Sequence, residues 1–334
     1  MSKNSEEINF SLNQRPRRNR KSASVRSFVQ ENQLTKNDLI MPLFVQDQSS
    51  DNIEVVSMPG QFRYSPDGLL KEVESLLEAG IHGICLFPAC KDETKDKLAT
   101  QGHNPDHFYQ RSLKDIKARF PEMTVMTDVA MDPYSCDGHD GYVDEKTGEI
   151  LNDPTLEILG KMALEQARSG ADIIGPSDMM DGRVGFIRDV LDQNGFENVS
   201  IMSYCAKYAS SFYGPFRDAL DSAPKVGDKK TYQLNPANTR EALREAELDE
   251  MEGADIIMVK PGIAYLDIVL KLKEHTTLPI SAYQVSGEYS MIKAAGEKGW
   301  LSEDQVALES LLAFKRAGAD IILSYFSKQV ARYL

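Results

Sequence analysis

The chain has 334 residues, with 38 Lys and Arg against 51 Asp and Glu, a formal net charge of −13, 41% hydrophobic residues and four cysteines. These values exclude a disordered chain, which would be poorer in apolar residues, and a disulfide scaffold, which would be shorter and richer in Cys. The negative charge argues against a general nucleic-acid binder, and there is no apolar run of the roughly 18 residues that a membrane span needs.

The first predicted element is a basic segment within residues 1–37. Its start, MSKNSEEINF, lacks the apolar core of a secretory signal peptide, so the expected compartment is the cytoplasm or a stroma-like organelle interior. Arg15, Arg17, Arg18, Arg20, Lys21 and Arg26 contribute +6 with no acid between them, which leaves −19 for the rest of the chain. Such an arm could bind nucleic acid or dock on an acidic neighbouring subunit. One short run is weak evidence for the former, so subunit docking is the expectation.

From residue 39 the chain alternates short apolar runs with amphipathic stretches. The strand candidates are LIMPLFV (39–45), GICLFPA (83–89), TVMTDVAM (124–131), ADIIGPS (171–177), SIMSYCAK (200–207), ADIIMVKPG (254–262), PISAYQVSG (279–287) and ADIILSYF (319–326). They are nearly continuous in apolar residues, as parallel strands buried on both faces are. Helical patterns lie between them at 68–80, 156–170, 239–253 and 303–318, each closing on a Gly suited to a left-handed C-terminus. Three of these run directly into Ala-Asp-Ile-Ile, a weak repeat of helix–strand units. Eight strands separated by helices predict a (β/α)₈ TIM barrel over 38–334. A doubly wound sheet fits poorly, because MPLFVQDQSS after the first strand has no Gly for a phosphate turn. The long segments 132–155 and 208–238 read as enlarged loops on the catalytic face.

Function in a barrel sits at the C-terminal strand ends, and two lysines lie there: Lys207 ends SIMSYCAK and Lys260 lies in ADIIMVKPG. Burial and a second nearby cation both lower a lysine pKa, and a neutral amine can attack a ketone to form a Schiff base. Alternatively, a strand-end lysine can snorkel to the rim or pair with a carboxylate. The segment TDVAMDPYSCDGHDGY (127–142) adds Asp128, Asp132, Asp137, Asp140 and His139. That cluster suits a hard cation or a positively charged intermediate, or is simply a polar turn. His103 and His107 have metal-like spacing, but the intervening Pro105 makes them loop residues. Cys85 and Cys205 read as core thiols, with no disulfide.

The segments TDVAMDPYSCDGHDG, PSDMMDGRV, SYCAKYASSFYGPFRDA, YQLNPANTREALREAELDEMEGADIIMVKPG and YQVSGEYSM, with the N-terminal RPRR, resemble the porphobilinogen synthase (5-aminolevulinate dehydratase) family over nearly the whole chain. The resemblance implies a homo-octamer held by the N-terminal arm. It also implies condensation of two 5-aminolevulinate molecules to porphobilinogen with loss of two waters, in tetrapyrrole synthesis. It implies that Lys260 holds the first substrate as a Schiff base and Lys207 the second. Arg217, Lys229 and Gln233 would then receive the second substrate's carboxylate, and Ser286 and Tyr325 the other. Residues 208–232 would form a lid with Phe212 and Tyr213 as apolar cover.

Zinc-dependent members carry cysteines at the positions of Ala130, Asp132 and Asp140. With none here, zinc is not expected, and magnesium or a monovalent ion is. Asp128 would assist proton transfer, and Asp132 and Asp140 would be the carboxylates for any ion at the site. Cys136 and His139 make a poor two-ligand alternative. Glu245 matches a glutamate that contacts an allosteric magnesium through its water shell. A class I aldolase-like barrel, which needs a single lysine and a phosphate site, is the alternative.

Overall fold

A computed structural model describes residues 13–220 and 224–334. Contacts divide the chain into two units, Met1–Gln33 and Leu34–Leu334. The boundary falls a few residues before the expected 37/38, because the Lys36 Nζ donates to the Ala79 carbonyl at 2.9 Å and Asp38 pairs with Lys315 at 3.0 Å. Residues 34–38 therefore belong to the larger unit. The described part of the smaller unit holds a 3₁₀ turn, Pro16–Arg20, and a helix, Ala23–Phe28, neither with a buried residue.

The larger unit is a closed barrel of eight parallel strands: β1 (Leu39–Val45), β2 (Gly83–Pro88), β3 (Thr124–Val129), β4 (Ile173–Pro176), β5 (Ser200–Lys207), β6 (Ile256–Lys260), β7 (Ile280–Gln284) and β8 (Ile321–Ser324). Each pairs with the next, and β8 closes on β1 through Leu39↔Ile322 and Ile40↔Leu323. A short strand, Phe62–Tyr64, also pairs with β1. The strands are buried along almost their whole length, which is why they read as continuous apolar runs.

The Ala-Asp-Ile-Ile repeat acquires a structural reason. The carboxylates of Asp172, Asp255 and Asp320, each just before a strand, accept the first free amides of the strands beside them: Val125 (2.8 Å), Ile201 (2.8 Å) and Ile280 (2.9 Å). Each repeat thus satisfies a backbone donor at the closed end of the barrel. The glycines that end the four predicted helices, Gly80, Gly170, Gly253 and Gly318, all have φ between 82° and 111°. That left-handed backbone stops each helix and turns the chain into the next strand.

One irregularity positions the site. Between β5 and β6 the register runs Ile256↔Met202 and Ile257↔Ser203, then Val259↔Ala206 and Lys260↔Lys207. Strand β5 thus carries one extra residue, a bulge, and the two lysines come out level at the strand ends.

Candidate active site

The two lysines share a register position but not an environment. Lys260 is 4% exposed, and its Nζ lies 4.7 Å from the ring centroid of Tyr283, 4.9 Å from Phe216, 5.1 Å from Tyr204 and 5.5 Å from Tyr213. Those distances are within cation–π range. Burial in this aromatic box, and then the nearby Lys207, lower its pKa to about 8, with Asp128 partly offsetting them.

Lys207 instead sits in a row of alternating charge. Its Nζ donates to Asp140 Oδ2 at 2.9 Å and to the Ser177 carbonyl. The other Asp140 oxygen accepts from Lys229, which also reaches Asp132 Oδ2 at 3.1 Å. Burial alone would raise the Asp140 carboxyl, but Lys207 and Lys229 outweigh it and hold that group well below the usual carboxylate range. Asp128, at the end of β3, is buried and faces both strand-end lysines. Burial pushes it up to about 6 against the pull of Lys260 and Lys207, and its Oδ1 has no hydrogen-bond partner among the described residues.

Over the barrel mouth lies the segment after β5. Its helix, Gly214–Leu220, has only seven residues, too few to hold together without anchors. At its start the Phe216 N–H donates to Ser286 Oγ at 2.9 Å, and Ser286 donates to the Phe212 carbonyl at 3.4 Å. At its end Arg63 donates to the Ala219 carbonyl at 2.7 Å and to the Asp218 carbonyl, capping groups the helix cannot satisfy itself. Tyr213 donates to the Lys260 carbonyl at 3.0 Å. Gly287 is required beneath the lid, since a Cβ there would stand 2.4 Å from the Phe212 carbonyl oxygen.

The structure gathers Lys207, Lys260, Asp128, Asp132, Asp140, Lys229, Gln233, Ser286 and Tyr325 as buried groups. Tyr325 shares a 3.1 Å hydrogen bond with Tyr283, which ties it to the aromatic box. Gln233 keeps a buried carbonyl oxygen without a partner among the described residues. Arg217, on the lid helix, is partly exposed and makes no hydrogen bond to the described residues.

The carboxylates Asp132 and Asp140 do not fit a resident ion as they stand, because the Lys229 ammonium bridges them. Among the described residues no three His, Cys, Asp or Glu side chains converge to hold a metal directly. His139 has both ring nitrogens engaged: with the Val226 carbonyl at 2.8 Å and with the Tyr232 hydroxyl at 3.1 Å. Since a carbonyl only accepts, Nε2 carries the hydrogen, and a neutral ring then receives the Tyr232 proton at Nδ1. The loop expectation is corrected: His103 ends a 3₁₀ turn, Thr100–His103, and His107 is the N-cap of the helix Phe108–Arg119. All four cysteines are free thiols, with Cys85 and Cys205 fully buried.

Glu245 lines a cavity of about 690 Å³ together with Asp181 and Glu241 but also with Arg183, Arg240 and Arg244, and a second cavity of about 1050 Å³ that reaches His139 and Gln233. Burial pushes its carboxyl up to about 7; Arg183 pulls it down, while Asp249, Asp181 and Glu241 add to the rise. Sequence reasoning missed Tyr204, Phe216, Arg63, Tyr232 and Ser177. All but Arg63 lie inside the segments that carry the family resemblance, yet nothing local gives them a role.

The family model described as delta-aminolevulinic acid dehydratase matches residues 13–333. A chloroplastic delta-aminolevulinic acid dehydratase of Oryza sativa subsp. japonica is 53% identical over 324 residues, covering 97% of this chain and 76% of that protein. The chloroplastic relative of Chlamydomonas reinhardtii is 49% identical over 332 residues, covering 97% and 85%. A crystal structure of the Toxoplasma gondii enzyme, in complex with the reaction product porphobilinogen, superposes with a TM-score of 0.95 at 52% identity and covers 97% of this chain and 92% of that one. These relatives overturn the cytoplasmic expectation, since several are chloroplastic by name. The missing apolar core spoke only to secretion; transit peptides are Ser- and Arg-rich amphipathic segments without such a core.

Proposed function

The chain belongs to the delta-aminolevulinic acid dehydratase family, and on that premise we propose how its residues divide the work. The reaction is the condensation of two 5-aminolevulinate molecules to porphobilinogen with loss of two waters, a lyase step of tetrapyrrole synthesis. The aldolase-like alternative gives way with the family match. The plastid is the compartment that the named relatives support.

The observation that carries the division is the pair of level lysines in opposite environments. Lys260, with a pKa near 8, offers an appreciable fraction of neutral amine to attack the ketone of the first substrate. The carbonyl oxygen leaves as water, and the iminium forms inside the aromatic box. Ser286 and Tyr325 receive that substrate's carboxylate, Ser286 by turning its one hydroxyl hydrogen away from the Phe212 carbonyl and Tyr325 by accepting, not donating, in its bond with Tyr283. Lys207 holds the second substrate's ketone in the same way, and the iminium acidifies the adjacent carbon so that it can act as a nucleophile. Asp128, poised at about 6 between both amines, carries the proton. Arg217, unpaired on the lid, and Lys229 with Gln233 receive the second carboxylate. Lys229 gives a point charge there, not a bidentate fork, and must loosen its hold on Asp132 or Asp140 to do so.

Magnesium fits Glu245 through its water shell. A half-buried carboxylate whose pKa is raised by burial and by Asp249, Asp181 and Glu241, with Arg183 only partly offsetting them, gains from a hydrated cation, which would supply charge neutralisation at that surface beside Arg240 and Arg244 and take no part in the chemistry. The active-site carboxylates are neutralised by lysines and need no zinc or monovalent ion for charge balance. The exposed basic arm fits wrapping of a neighbouring subunit in a homo-octamer.

Purified protein incubated with 5-aminolevulinate and magnesium should yield porphobilinogen, and borohydride added during turnover should fix substrate mass on Lys260. Absence of product, or an unmodified Lys260 with mass elsewhere, would refute the assignment. Zinc-selective chelators should leave the rate unchanged.

A further inference from the structure

Glu288 is a buried carboxylate with no cationic partner among the described residues, and it joins the two loops that flank the Lys260 pocket. It occupies the third position of the helix Ser286–Glu297 and is 1% exposed. Its Oε2 accepts the Val285 N–H at 2.8 Å at the end of β7, the one half of a capping box that a Val N-cap allows. Its Oε1 leaves the helix and accepts the Ile263 N–H at 2.7 Å, in the turn that follows Lys260. The neighbouring amides of Gly262 and Ala264 add to the positive field on the carboxylate. A helix cap alone requires one oxygen, and a glutamine would serve. Here both oxygens must accept, which only a carboxylate does.

A buried charge is costly, and burial pushes this carboxyl up to about 7 against the four amides that hold it down. The two loops it joins cannot settle independently. A Cβ on Gly262 would stand 2.3 Å from the Phe314 ring and 2.9 Å from the Tyr283 carbonyl oxygen, so the Lys260 loop lies hard against its neighbours. Further contacts depend on the same two loops: Tyr213 on the Lys260 carbonyl, and Phe216 on Ser286.

We propose that Glu288 is a positioning residue for the condensation: its carboxylate fixes the Lys260 loop against the Ser286 turn and so sets the span between the amine and the hydroxyl. This rests on the reading that Lys260 and Ser286 hold the same substrate molecule. The ligand it gauges is a short keto acid, whose ketone carbon and carboxylate must meet the two groups together. A misplacement of about 1 Å costs on the order of 100-fold in rate.

The test uses the full-length enzyme and the variants Glu288→Gln, Glu288→Asp, Ser286→Ala and the double variant E288Q/S286A. Wild-type enzyme is trapped first with borohydride and 5-aminolevulinate. If no mass falls on Lys260, the reading beneath the proposal fails before Glu288 is at issue. With wild-type trapping in place, E288Q should keep its melting temperature within a few degrees. It should lose at least about tenfold in kcat and in the trapping rate at Lys260. The double variant should fall by less than the product of the two single losses, because both disturb one alignment. E288D, with its charge kept but one methylene shorter, should lie between. Unchanged kcat and trapping in E288Q, or losses that multiply with S286A, would overturn the proposal. If E288Q does not fold, E288D carries the same readouts. Failure of both to fold would overturn it as well, leaving Glu288 a scaffold residue only.

Discussion

Lys207 and Lys260 end adjacent strands at the same level, yet the chain builds opposite surroundings for them. Around Lys260 four aromatic rings exclude water and supply no anion, so the amine is shifted towards its neutral form. Around Lys207 the row Asp132–Lys229–Asp140–Lys207 supplies one anion for each cation. Under the proposed division of work, the first pocket is prepared for nucleophilic attack at once, whereas the second must exchange an ion pair before it reacts. The difference offers a physical basis for order in a reaction that joins two identical substrates: the desolvated amine takes the first and the paired amine the second.

The sharpest way to break this contrast is to remove the reactive amine. Lys260→Met should lower kcat by about 10⁴-fold or more while the protein still folds, as loss of a covalent nucleophile generally does. Porphobilinogen formation at saturating substrate measures it, and an activity loss smaller for K260M than for Lys207→Met would invert the assignment. Next comes the anion that serves two lysines. Asp140→Asn leaves Lys207 and Lys229 without their shared counter-charge in a buried site, at a cost of about 3–5 kcal/mol in stability. Its melting temperature should drop well below that of Phe216→Leu, which leaves both buried ion pairs of Asp140 in place.

A pH profile sharpens the other half. Because the Lys260 pKa is lowered, the neutral fraction grows as pH rises towards about 8, and kcat/KM should climb through that limb. Phe216→Ala admits water, weakens the desolvation that lowers the pKa and should move the limb to higher pH. A shift to lower pH would show that the ring acts by some other route. The smallest effect concerns the lid that completes the aromatic box. Arg63→Ala removes two hydrogen bonds to its terminal carbonyls, worth about 1 kcal/mol each. KM should rise roughly three- to tenfold with kcat little changed, and amides of 214–220 should exchange faster with deuterium.

How legible these pockets were in the sequence follows from the range of the contacts. The strands β1 and β5 match their predicted bounds because a buried parallel strand is written locally, as a run of apolar residues. The strand-end lysines were found by the same local logic. The acidic segment after β3 was legible as a cluster but not as a charge row, because its partner Lys229 lies 89 residues from Asp140. Phe216, Arg63 and Glu288 were invisible for the same reason. Arg63 reaches a carbonyl 156 positions away, and no pattern in FRYS distinguishes it from a solvated arginine. Glu288 was quoted only as a letter in a motif; its second oxygen is spent on another loop.

The extra residue in β5 has a consequence for how this site tolerates change in length. Before the bulge the paired positions differ by 54; after it they differ by 53. Carried through at 54, Lys260 would face Ala206, and Lys207 would project through the opposite face of the sheet, since side chains alternate along a strand. Both amines share one chamber because a single backbone unit resets the phase of the pleat. Loss of Cys205 alone would leave both lysines and every ring of the aromatic box in the sequence and dissolve the pairing. The second amine is held in place by counting as much as by chemistry.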